Sequence, residues 1–187
     1  DGTSKWKASV PAEGVGTPGL DAAGNIYVTD MLGGLTSFTP EGELRWHLDV
    51  PESFEATSGP VIGKNNVAYY VVIGNIRAVS SDGALLWDAS AFSRRVAFTP
   101  ILSPDENFIF LRNTIIDAKT GEKLQFESLP DTEQYMVGQS GLLFARFENK
   151  MTGWEYMNDK AEPRSHMEWS RTAFFGFPGM AGVFADG

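Results

Sequence analysis

The residues able to do chemistry are few and scattered. His47 and His166 are the only histidines, and neither has a second His, a Cys or an acid at ligand spacing. There is no cysteine, which excludes disulfides, thiolate zinc sites and thiol nucleophiles. Asp21, Asp82, Asp105 and Asp117 each stand among turn-forming residues. There an Asp side chain accepts hydrogen bonds from its own backbone, and this turn role outweighs a catalytic one. A calcium ion in the turn from Asp21 to Asn25 has oxygens within reach, but the turn lacks the ligand spacing of a dedicated calcium loop. Arg94-Arg95 is the one basic pair beside an aromatic run, readable as a solvated loop or as part of a recognition surface. No catalytic, cofactor-binding or metal-ligating set is assigned, and no cofactor is expected.

The elements that position these residues repeat. Ser58 to Trp87 reads as short strands joined by tight turns at Asn65-Asn66, Gly74-Asn75 and Asp82-Gly83. Gly and Asn tolerate the positive φ that such turns need, and β-branched and aromatic runs between turns are strands. The plan recurs. Gly2, Gly42 and Gly83 are each followed four residues later by Trp6, Trp46 and Trp87. Pro18, Pro60 and Pro100 recur in step with them, at a period of about 40 residues. Four short strands per such period specify a propeller blade.

Units fall at about 16–48, 58–87, 98–126 and 135–169, with partial blades at 1–10 and 173–187. The fold expected is all-β, a β-propeller of four-stranded antiparallel blades, forming an incomplete ring of about four blades plus flanking strands. An outer strand is expected over about Thr3 to Ala8. In the fourth unit the third strand is placed at Trp154 to Met157, and Asp159 to Arg164 is expected to protrude. Tyr69 to Val72, Phe108 to Leu111 and Leu142 to Phe147 are nearly continuous apolar runs. That is the pattern of sheets buried on both faces. No stretch shows sustained helical periodicity.

The 187 residues carry a net charge of −9, which argues against nucleic acid or an anionic membrane as partner. No apolar run approaches the ~20 residues of a membrane span, so direct membrane insertion is not expected.

The stretch Asp117-Ala-Lys-Thr120-Gly121, with Trp46 and Trp87 at the closing aromatic position of the other units, resembles the pyrroloquinoline-quinone-type propeller repeat and its tryptophan-docking motif. The match is partial, since Glu41 and Asp82 stand where the motif has Thr, and Gln125 where it has Trp. The resemblance implies blade-to-blade docking by Trp6, Trp46 and Trp87. Its family includes quinoprotein alcohol dehydrogenases, the outer-membrane assembly lipoprotein of the β-barrel machinery, and cofactor-free secreted or periplasmic proteins. The implied setting is therefore periplasmic, cell-surface or secreted. The vicinal Cys pair of many of the dehydrogenases is impossible here.

Two functions follow as expectations. The first is a non-catalytic scaffold that binds a protein partner through the inter-blade connectors, which hold Phe54, Phe92, Arg94, Arg95, Tyr135 and Phe174. Aromatic and Arg residues at loop tips suit protein recognition. The alternative is part of a quinone-dependent dehydrogenase.

The closing blade would own only its first and last strands within these residues, leaving apolar edges that invite aggregation. The expectation is a section of a larger protein, with seven or eight blades implied by the resemblance, or else closure by a second copy or a partner chain. Intact mass tests this: a native polypeptide of 20.4 kDa, monomeric by light scattering and cooperatively folded, contradicts it.

Overall fold

The computed structural model describes residues 2–50, 58–91, 98–112 and 114–124. It also describes the strand backbones Gln134–Val137, Leu142–Phe147, Lys150–Glu155 and His166–Trp169. No described residue is helical. Blade 1 comprises β1 (Gly14–Leu20), β2 (Ile26–Asp30), β3 (Leu35–Phe38) and β4 (Leu44–Leu48). Blade 2 comprises β5 (Val61–Ile62), β6 (Ala68–Val72), β7 (Asn75–Val79) and β8 (Leu85–Ser90). Blade 3 comprises β9 (Ile101–Leu102), β10 (Phe108–Leu111), β11 (Thr114–Asp117) and β12 (Lys123–Leu124). Blade 4 comprises β13 (Gln134–Val137), β14 (Leu142–Phe147), β15 (Lys150–Glu155) and β16 (His166–Trp169).

Each blade is a sequential antiparallel meander. The leading strands lie side by side, β1 against β5 and β9 against β13. This is the arrangement of a β-propeller, with the first strand of each blade innermost, and the ring of four blades is incomplete.

Two expectations are corrected. Residues 2–10 form no strand, although Thr3 to Ala8 has the sequence of one. In blade 4 the third strand is Lys150–Glu155 rather than Trp154 to Met157, because Leu142 pairs with Glu155 and Phe147 with Lys150 across a short hairpin. The expected flanking strand near the C-terminus and the protrusion at 159–164 lie outside the described residues.

The turns form as their residues dictate. The Asp21 carboxylate accepts from the backbone N–H groups of Ala23 and Asn25, the Asn25 side chain and the Tyr27 hydroxyl, at 2.8–3.1 Å. Burial alone would raise the Asp21 carboxyl, but these hydrogen bonds outweigh it and hold it below the usual carboxylate range. Asp117 accepts from Lys119 and Thr120 N–H, Asp105 from Asn107, and Asp82 from the Ser80 hydroxyl.

Between blades the contact is apolar. Tyr27, Leu35, Ala68, Tyr70, Val72 and Val79 form one buried cluster where blade 1 meets blade 2. Tyr69, Val71, Ile76, Ile109, Leu111 and Ile116 form another between blades 2 and 3. Successive residues of β6 point to opposite neighbours. The Tyr69 hydroxyl donates to Ala118 O of blade 3, and the Tyr70 hydroxyl to Gly33 O of blade 1. This is why the strand is apolar without alternation.

The tryptophans join one repeat to the next. Trp46 on β4 lies over Gly83, and its indole N–H donates to Ser81 O at 2.9 Å. Trp87 on β8 lies over Gly121 and donates to Ala118 O at 3.2 Å. The Gly in front of each Trp, Gly42 or Gly83, therefore receives the indole of the repeat before. Gly83 and Gly121 have φ of 90° and 75°, and a Cβ on either would stand 2.8 Å from the ring. Both the backbone and the space require glycine there. A bulge sets the ring: Ser37 pairs with Trp46 and Phe38 with Leu44, leaving Arg45 extra, and Leu86 is extra in the same place on β8. Arg45 uses the opening. It donates to Tyr27 Oη, Ser37 Oγ and Ser81 O, while its guanidinium lies 5.9 Å from the Tyr27 ring centroid.

The indoles of Trp46 and Trp87 are half-buried rather than fully enclosed. Trp46→Ala and Trp87→Ala are each expected to cost about 3 kcal/mol, the low end for a buried aromatic. Denaturant midpoints check this; losses below about 1 kcal/mol would remove docking as a determinant of the fold.

Candidate functional site: the connector face

Antiparallel pairing sorts the loops onto two faces. The β2–β3, β6–β7 and β10–β11 turns share one face with the chain leaving β4 and β8. The opposite face carries the Asp21, Asp82, Asp105 and Asp117 turns and the three tryptophan sockets. Function in a rigid β scaffold concentrates on loops. On the turn face each of these aspartates accepts hydrogen bonds within its own turn, and no three His, Asp or Glu side chains converge among the described residues.

The connector face is different. In the β2–β3 turn Asp30 Oδ1 accepts from Leu32 and Gly34 N–H at 2.9 Å. This leaves the side chains of Met31 and Leu32 40% and 45% exposed. In blade 2 the turn is only Ile73-Gly74, both at positive φ, 49° and 82°. A β-branched residue is unusual there, and Asn or Gly is the usual choice. Ile73 packs its side chain against the blade 1–2 cluster, which offsets the backbone cost. Arg112, at φ 49°, opens the corresponding turn of blade 3, with its guanidinium 5.4 Å from the Phe98 ring centroid.

Beneath these turns, equivalent positions differ from blade to blade. Val28, Thr36 and His47 stand in register on blade 1, Tyr70, Arg77 and Asp88 on blade 2. Thr36 Oγ1 and His47 Nδ1 are 2.9 Å apart, so His47 has a partner that its sequence neighbours did not reveal. Arg77 pairs with Asp88 at 2.7 Å, and Asp88 also accepts from the Asn75 amide. Burial alone would lower the Arg77 group, but its hydrogen bond and charge pairing with Asp88 hold it above its ordinary value.

Of the residues singled out for partner binding, Phe54, Phe92, Arg94, Arg95 and Phe174 lie outside the described residues. Tyr135 does not belong to a connector: it pairs with Ala145 within β13, the first strand of blade 4. His166 lies on β16, paired with Trp154. Trp6 lies over Gly42 and donates to Pro40 O at 2.9 Å, although its segment is not a strand. Met31 and Leu32 were not singled out. The signal for them is two apolar residues between Asp30 and Gly33-Gly34, where turn chemistry leaves no strand to bury them.

No family model matches the chain, and no curated protein matches it. Solved structures do. BamB from Moraxella catarrhalis superposes with a TM-score of 0.64 at 17% identity, over 90% of this chain and 54% of that one. Virginiamycin B lyase from Staphylococcus aureus gives 0.61 at 17%, over 86% and 56%. A protein of unknown function from Bacteroides caccae gives 0.55 at 14%, over 87% and 63%. The chain spans 54% to 63% of the length of these proteins, and the likeness is one of fold.

Burial pushes the Tyr70 hydroxyl up to about 12 from 10.0. Its neutral form is held in the folded state, so its stabilisation is complete below pH 10 and disappears as pH rises towards 12. Tyr70→Phe is expected to cost about 1 kcal/mol at pH 7, from the lost bond to Gly33 O, and to flatten the fall in stability between pH 10 and 12. An unchanged alkaline limb in the variant would contradict this.

Proposed function

We propose that this chain is a non-catalytic propeller scaffold that holds another protein chain on its connector face, outside the cytoplasm. The observation that carries the reading is the Met31-Leu32 pair, apolar and exposed at the tip of a turn that is itself rigidly hydrogen-bonded. Rigid turns presenting apolar and Arg side chains bind with little entropy loss. The likeness to BamB supports the propeller scaffold itself. So does the repeat's resemblance to a family that includes an assembly lipoprotein. Phe54, Phe92, Arg94, Arg95 and Phe174 are proposed to extend the same surface. No described helix is long and apolar enough to cross a membrane.

Met31→Asp with Leu32→Asp tests the reading. Exposed turn residues are expected to change stability by no more than about 0.5 kcal/mol. The double variant should lose a cross-linked partner that the wild type and a Leu44→Asp control on the outer strand both retain. Equal retention by all three would reject the connector face. Added pyrroloquinoline quinone with calcium should leave the melting temperature unchanged; a rise would favour a quinone-dependent dehydrogenase instead.

A further inference from the structure

The three tryptophan sockets differ in the residue before the glycine. It is Glu41 in blade 1, Asp82 in blade 2 and Thr120 in blade 3. Only the Asp places a carboxyl carbon where ring closure with the glycine nitrogen gives a five-membered imide. Gly, with no side chain, leaves that nitrogen unhindered. In the folded chain both reacting groups are engaged. The Gly83 N–H donates to Ser80 O at 3.0 Å, and the Ser80 hydroxyl donates to the Asp82 carboxylate. That hydroxyl bond holds the Asp82 carboxyl below its ordinary value, and an ionised carboxylate is a poor electrophile. Asp82 itself is exposed, so water and protons reach it. Above the pair lies Trp46, whose ring covers Gly83 and whose N–H donates to Ser81 O.

We propose that Asp82-Gly83 is a modification site, at which Asp82 converts to isoaspartate through a cyclic imide, and that the Trp46 dock holds the conversion in check. The Gly83 nitrogen bonds to Asp82 Cγ, and the amide proton leaves with the carboxyl hydroxyl as water. Water then opens the ring at the α-carbonyl, breaking its bond to the Gly83 nitrogen, and the main chain thereafter runs through Cβ and Cγ. No oxidant or co-reactant is needed. The product lengthens the main chain between Ser81 and Gly83 by a carbon. The two points that Trp46 touches, Ser81 O and Gly83, lose their spacing, so the indole cannot satisfy both. Conversion therefore undoes the dock between blades 1 and 2. The site lies on the turn face, and the inference does not depend on the connector-face reading.

Wild type, Trp46→Ala and Trp87→Ala, warmed at neutral pH, test this. Isoaspartate at Asp82 is read by peptide mapping, since Asp1-Gly2 and Asp186-Gly187 would add to an intact-protein signal. Trp46→Ala should convert at least about tenfold faster than wild type, because the dock is the local structure that must open. Trp87→Ala, which loosens the other seam, should convert less than about threefold faster. Equal acceleration by both variants, or none in Trp46→Ala, overturns the proposal. If Trp46→Ala fails to fold, Trp46→Phe, which keeps a ring but has no N–H for Ser81 O, takes its place against the same control. A peptide of residues 79–87 sets the unprotected rate, expected to be at least about tenfold above that of the folded wild type. A folded wild type that matches the peptide also overturns the proposal.

Discussion

The fold depends on one contact repeated: an indole from one blade laid over the turn glycine of the next, with its N–H on a carbonyl one residue into that turn. Flat apolar sheets stacked face to face can slide, because the hydrophobic effect has no direction. The indole supplies direction. Its hydrogen bond fixes the height of one blade against its neighbour, and the missing Cβ of the glycine fixes the separation. Blades 1 and 2 both give and receive, so Gly and Trp must keep the same period although each Gly meets the indole of the repeat before its own. In blade 3 the turn is one residue longer, with Gly121 N–H bonding to Asp117 O where Gly83 bonds to Ser80 O. The accepting carbonyl is still the residue after the turn opens, Ala118 in place of Ser81.

Much of this was legible in the residues. Turn chemistry at Asp21, Asp82-Gly83 and Asp117 set strand ends within a residue or two, and Trp spacing set the repeat. Less legible was which Gly meets which Trp, since the contact crosses a full repeat and no local pattern reports it. The bulge was hidden for the same reason: Arg45 and Leu86 look alike in position, yet Arg45 bridges two blades while Leu86 stands 52% exposed. Residues 2–10 carry a strand sequence but no strand, because pairing needs a neighbour and propensity alone does not supply one. Tyr135 was misplaced because no Pro, Gly or Asp marks in the sequence where the connector ends and β13 begins at Gln134.

The candidate surface was only partly legible. Aromatic and basic residues mark connectors by type, whereas Met31 and Leu32 are ordinary apolar residues whose exposure follows from the Asp30 turn. The two faces have different chemistry. One spends its carboxylates on its own backbone and its glycines on indoles. The other leaves apolar side chains and an Arg at turn tips, on a scaffold stiff enough to present them.

The central claim is that docking runs from one blade to the next and not within a repeat. Double-mutant cycles test it directly, pairing Trp46→Ala with Gly83→Ala and, separately, with Gly42→Ala. The account predicts a coupling of at least about 1 kcal/mol for Trp46 with Gly83, because the added methyl meets the ring only while the ring is there. It predicts additivity within about 0.5 kcal/mol for Trp46 with Gly42. Coupling to Gly42 in place of Gly83 would contradict it.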